Sequence, residues 1–202
     1  MNKIPLSYYQ QSDVVSLSKS LIGKYLFTQL EPENVITGGM IIETEAYHGA
    51  EDKACHAYGN RRTKRTETMF SQGGAAYIYL CYGMHHLFNI VTNKKEIPHA
   101  ILIRAIQPEI GIDIMLRRRN KEKVLPSLTN GPGSLCQALG ITRSYDGVSL
   151  DGNTIWLEDR GGVIPSKHIQ ATPRIGVDYA EEDALKPWRF IFAASTVKKS
   201  IF

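Results

Sequence analysis

An α+β fold with a mostly antiparallel sheet is what this sequence predicts, on three observations. Strand-like and helix-like segments are interleaved without the strand–helix–strand rhythm of a parallel sheet. The stretch AAYIYLCYGMHHLFNIVT reads as a hairpin, two runs of aromatic and β-branched residues around a glycine. No internal repeat, low-complexity linker or shift of composition marks a boundary, so residues 1–202 read as a single domain.

The elements follow in chain order. Ser12 or Asp13 caps a helix running to about Ile22, with Val14, Leu17 and Leu21 on one face and Gly23 as its stop. KYLFTQL is a strand, and so is the stretch from about Gly39 to Tyr47. Alternation in the latter puts Ile41, Glu43, Glu45 and Tyr47 on one side, and Ile42, Thr44 and Ala46 on the other. In the hairpin, Tyr82-Gly83-Met84 is the turn. AILIRAI is a further strand with Arg104 inside it. From about Pro108 to Lys121 the pattern reads as helical and ends in RRRNK. NGPGSLCQALG is a glycine-rich turn feeding a short helix that stops at Gly140. DGNTIWLE and RFIFAAS complete the strands.

Composition excludes several classes. Net charge is +4, a mild basic bias compatible with an anionic partner. Three cysteines without CxxC spacing argue against a disulfide framework and a structural zinc site. The first residues, MNKIPLSYYQQSD, lack the apolar core of a secretion signal, and no apolar run is long enough to cross a bilayer. A soluble, cytoplasmic protein is expected.

Within this frame Glu45 is the first chemical candidate. A carboxylate inside a strand is costly unless paired, and it shares a face with Tyr47. It is either a site residue or a solvent-facing or salt-bridged acid; Glu43 suits a structural ion pair, and Glu51 and Asp52 suit a solvated loop. Arg104 reads alone as an edge arginine with its head in water, or else as a partner that keeps Glu45 ionised. His48, His56, His85, His86 and His99 match no zinc pattern, so each is expected to be satisfied or at the surface. Tyr77 and Tyr79 share a hairpin face. Tyr82 breaks their parity at an exposed tip, where a core role explains it poorly and a wedge between base pairs explains it well. Two basic runs flank the hairpin: Arg61, Arg62, Lys64 and Arg65, then Arg117, Arg118, Arg119, Lys121 and Lys123. They are solvated faces or a rim for phosphates. The turn from Asn130 to Ser134 precedes a helix start, where free backbone N–H groups bind anions or are merely capped.

Together the segments ETEAYHG, EDKACHAYGNRRTKRTETMF, YIYLCYGMHHLFNIV, ILIRAIQPEIG, NGPGSLCQALGI and TPRIGVDYAEEDALKPWRF resemble the alkyladenine (3-methyladenine) DNA glycosylase family, from the first helix to the last strand. Their shared order makes the likeness specific. The resemblance implies a single α+β domain with a curved antiparallel sheet and a β-hairpin that projects into the minor groove. It implies a base-excision repair enzyme that flips alkylated purines, hydrolyses the N-glycosidic bond and leaves an abasic site without nicking the strand. A module that binds damaged nucleic acid without chemistry is the alternative. By the same resemblance Glu45 is the general base, and Arg104 helps hold water and base. Tyr47 is one wall of the base pocket, His56 and Tyr79 the other, and Asn89 guards against normal guanine. Tyr82 is the intercalating wedge, and Met69 lies near DNA. Arg61, Arg62, Gly131 and Gly133 join the DNA contacts. His85 and His86 stand where relatives often carry aromatics. Double-stranded DNA with alkylated bases is the implied partner, with no metal or redox cofactor and no membrane. A monomer suffices, located with the chromosomal DNA, in the cytoplasm or in a eukaryotic nucleus.

Overall fold

The computed structural model describes residues 2–192. Eight strands form one sheet: β1 Tyr25–Leu30, β2 Val35–Tyr47, β3 Ala76–Cys81, β4 His85–Thr92, β5 His99–Ile110, β6 Ile155–Glu158, β7 Ile169–Thr172 and β8 Arg189–Phe192. The main order is β3-β4-β5-β2-β1-β6, with β8 joining β2 to β7. Every strand pair is antiparallel. The first half of β2 pairs with β1 and its second half with β8, so the sheet curls around this long strand. The α+β expectation holds. Among the described residues four short α-helices flank the sheet: α1 Leu6–Tyr9, α2 Val14–Ser20, α3 Ile112–Arg118 and α4 Pro132–Leu139.

Local chemistry explains the ends. The Asp13 carboxylate accepts from the Val15 and Ser16 amides and starts α2. Gly140 leaves α4 with φ of 74°, a left-handed stop that suits glycine. Val14, Leu17 and Leu21 face the core, joined from α4 by Leu135, Cys136, Ala138 and Leu139. Complete burial of a leucine such as Leu135 or Leu139 contributes about 1.5–3 kcal/mol.

Two expectations change. The segment after Pro108 is not helical throughout: β5 continues to Ile110, and α3 begins only after Gly111, whose φ is 69°. Pro108 stays in a strand because the register slips between Gly38 and Gly39 opposite it. A side chain at Gly39 would stand 2.0 Å from the Gln107 carbonyl oxygen, which explains a glycine there. The second change is a bulge at Ile42, where Ile41 pairs with Ile106 and Glu43 with Ala105. It turns Ile41 to the core side, beside Ala46 in the main apolar cluster, while Glu43 turns toward Arg104. Residues 193–195 of the predicted RFIFAAS strand lie outside the described residues.

Candidate active site

One face of the sheet builds the site by alternation. Across β3, β4, β5 and β2 the register aligns Tyr77 with Asn89, Asn89 with Leu102, and Leu102 with Glu45. The next positions on this face are Tyr79, Leu87, Ala100, Arg104 and Tyr47, while their neighbours Ile78, Phe88, Ile101, Ile103 and Ala46 fill the core behind. The result is a cavity of about 590 Å³ with Tyr47, His56, Tyr77, Tyr79, Asn89 and Arg104 in its lining. A second cavity, about 530 Å³, lies by His85, His86, Arg118 and Gly133 and contains neither Arg104 nor the paired tyrosines. The first is therefore where the arginine and the rings meet, with Glu45 buried beside it and bonded to Tyr47 and Arg104 of its lining.

Glu45 is fully buried. Its Oε2 accepts from the Tyr47 hydroxyl at 2.9 Å and from Arg104 Nη1 at 3.2 Å, and its Oε1 accepts from the Ile175 amide at 2.8 Å. Glu43 Oε1 accepts from Arg104 Nε and Arg189 Nε, both at 2.7 Å, which is the structural ion pair expected of it. Arg104 is thus no edge arginine. It sits inside β5, 9% exposed, bridging both acids. Burial works against its charge, yet Glu45 and Glu43 outweigh burial and hold it protonated more firmly than usual. Burial first, then the Glu45 charge, raises the Tyr47 hydroxyl well above its ordinary value, so it stays a donor.

The opposite wall is edge-on. The His56 ring meets Tyr79 at 4.6 Å with 77° between planes, and His56 Nδ1 is 2.9 Å from the Tyr77 hydroxyl. Burial, then Arg65 and Arg61, lowers the His56 pKa to about 4, so the ring is neutral at pH 7. His99, 4.3 Å from the His48 ring, is lowered to about 4 by burial and then by His48. Between pH 6.5 and 4 these two imidazoles take up protons when unfolded but not when folded. Stability is therefore lost as pH falls through that window, by at most about 3 kcal/mol for each. Thermal melts at pH 7, 5.5 and 4.5 should show a falling midpoint, and His56→Gln should flatten the slope.

Asn89 is 3% exposed, and its amide donates to the Tyr77 carbonyl at 3.1 Å, fixing the side chain in the cavity lining. Tyr82 has φ of 50°, Gly83 follows at 71°, and the Met84 amide closes the turn on the Cys81 carbonyl at 3.1 Å. This tight turn leaves Tyr82 90% exposed at its tip. Gly131 caps α4, and a side chain at Gly133 would touch the His85 ring at 3.1 Å, so this turn packs against the hairpin next to its tip.

Several residues have surroundings that the sequence did not show, and one further expectation, a solvated Asp52, needs correction. Met69 is 2% exposed and lines the cavity, packed with Cys55, Phe70 and Tyr77. Arg62 pairs with Glu67 and Glu96 at the surface, Arg118 with Glu33, and Arg119 bonds Ser134 at 3.0 Å. Asp52, expected in solvent, is fully buried and grips Arg174 through both oxygens, at 2.5 and 2.8 Å. Sequence reading passed over Arg174, which stacks on Tyr47, and saw Arg65 only as one of a basic run, whereas its guanidinium lies 4.9 Å over the Tyr79 ring. The polar-rich segment TPRIGVD carried no periodicity that would single out its arginine.

Residues 7–196 match the family model of methylpurine-DNA glycosylase (MPG). The chain belongs to the methylpurine-DNA glycosylase family. Among its relatives, a protein of Chlamydia felis is 51% identical over 199 residues, covering 97% of this chain and 99% of that one. One of Bacillus cereus strain B4264 is 45% identical over 196 residues, covering 93% and 94%. Both carry the name "Putative 3-methyladenine DNA glycosylase". Family membership gives DNA as the substrate polymer. Among the described residues no helix is long and apolar enough to cross a membrane.

Proposed function

We propose that this chain is a base-excision repair DNA glycosylase that extrudes an alkylated purine from duplex DNA and hydrolyses its N-glycosidic bond. The observation that carries this reading is a fully buried carboxylate, Glu45, held by Arg104 and Tyr47 beside a cavity lined with rings. Buried acids of this kind are costly and gather where chemistry needs them.

A nucleotide inside a duplex must swing out, which costs a few kcal/mol and least for a damaged base. Tyr82 fills the gap left in the stack. The base enters between Tyr47 and the wall of His56 and Tyr79, where stacking on an aromatic contributes about 1–3 kcal/mol. Bare rings favour cationic purines. Here Tyr47 and Tyr79 each already carry a guanidinium, Arg174 at 4.8 Å and Arg65 at 4.9 Å, which weakens that preference. Selectivity then rests more on the leaving group and on Asn89, whose side chain crowds the exocyclic amine of guanine. Met69 forms the floor beneath.

Glu45 orients a water toward C1′ and takes its proton as the sugar gains oxocarbenium character. The C1′–N bond breaks with its electron pair going to the purine. A base made cationic by alkylation leaves neutral, without a strong general acid. Arg104 holds the carboxylate in place. Outside the cavity, Arg61 and the amides of the Gly131–Gly133 turn contact phosphates, with Arg62 reinforcing the loop. Residues 1–202 act as a single domain and as a monomer.

Incubation with alkylated duplex should create abasic sites that break only after hot alkali. Direct nicks, or binding without any abasic site, would contradict the reading, and the second outcome would favour a non-catalytic damage-binding module. Affinity should also fall with added salt. Arg61, Lys64 and Arg65 are exposed, and three phosphate contacts give a log–log slope of about −3, which Arg61→Ala lowers by about one. A flat dependence measured by anisotropy would remove the phosphate contacts.

A further inference from the structure

We propose that Asp52 and Arg174 are positioning residues for base release, fixing the Glu45 carboxylate and the Tyr47 ring as one unit. The inference rests on the glycosylase reading above. Neither residue lines the cavity, and both side chains are fully buried.

The contacts form a closed circuit. The Arg174 guanidinium lies 4.8 Å over the Tyr47 ring and 5.1 Å over Trp188, gripping the wall from the side away from the cavity. Its Nη1 donates at 2.8 Å to the carbonyl of Ala46, the residue between Glu45 and Tyr47. Its chain neighbour Ile175 donates its amide to Glu45 Oε1 at 2.8 Å, while the Tyr47 hydroxyl takes Oε2 at 2.9 Å. Both carboxylate oxygens and the ring plane therefore depend on where Arg174 sits. Asp52 fixes that place with two hydrogen bonds, and the Asp183 carbonyl adds a third at 3.0 Å. Asp52 is itself anchored by the His48 and Ala54 amides, at 3.1 and 3.0 Å, just past the end of β2. A planar guanidinium can stack and fork at once; a lysine ammonium cannot.

The test uses Asp52→Asn, Arg174→Lys and the double variant. Enzyme is held in excess over a duplex with one alkylated purine, and the limiting single-turnover rate is read apart from affinity for a duplex with a tetrahydrofuran abasic mimic. A limiting rate is a property of the folded molecules, so a merely structural role does not move it. Each variant should lower that rate about 10- to 100-fold and leave affinity within about threefold, since small misplacement of a reacting group costs that much. The double variant should be no slower than the slower single one, because either change breaks the same unit. Unchanged limiting rates with a lowered melting temperature would overturn the proposal, as would a loss confined to affinity. Inactive wild-type protein would overturn the glycosylase reading, and this inference with it. Should no variant fold, hydrogen exchange in the wild-type protein decides. The Ile175 amide should be protected although the residue is 50% exposed, and exchange at the rate of a free peptide would refute the circuit.

Discussion

Replacing Glu45 by Gln should slow base release by at least about 100-fold, the usual contribution of a positioned general base. The amide keeps the size of the acid but cannot take a proton from water. Fold and DNA binding should survive. Arg104 would still hold Glu43 at 2.7 Å, so its guanidinium is not left buried without a carboxylate. The Gln oxygen can accept from either the Ile175 amide or the Tyr47 hydroxyl, which keeps the loop near its place. Single-turnover release and anisotropy on the same preparation separate the two quantities. A Glu45→Gln protein that turned over at the wild-type rate would end the assignment of the base.

Tyr82→Ser should weaken binding to a damaged duplex about 10- to 100-fold, equivalent to roughly 1.4–2.8 kcal/mol, and barely change binding to a damaged single strand. The ring is 90% exposed at the turn, so its loss removes little from the folded protein itself. Only a duplex has a gap for it to fill. Equal losses on both substrates would argue that Tyr82 is a simple contact and not a wedge.

What the sequence made legible is what strand geometry repeats every second residue. Tyr77 with Tyr79 on β3, Asn89 on β4 and Tyr47 on β2 all reach the cavity because alternation carries them to one face, and Glu45, on the same face of β2, lies buried against Tyr47 and Arg104. The Tyr82–Gly83 tip was equally readable, since a glycine at a left-handed position marks a tight turn. The bulge at Ile42 was not. One unpaired residue shifts the parity of Ile41, and nothing local in GGMIIETEAY announces it. Asp52 and Arg174 were hidden for a different reason. They are 122 positions apart, and each looks like an ordinary loop charge until the fold closes around the pair. The partners of the basic runs were hidden in the same way: Arg62, Arg118 and Arg119 find contacts that only the folded chain supplies. The resemblance of motifs in order carried the function further than the residues could alone, because an acid, an arginine and several tyrosines are compatible with many chemistries.

Chromatography of the small molecules freed from alkylated duplex DNA is the most direct measurement. Wild-type protein should release methylated purines, leave unmodified guanine and adenine in the strand, and keep that strand unbroken. An eluate without any free methylated purine, from protein shown to be folded and bound to the DNA, would contradict hydrolysis at the Glu45 cavity.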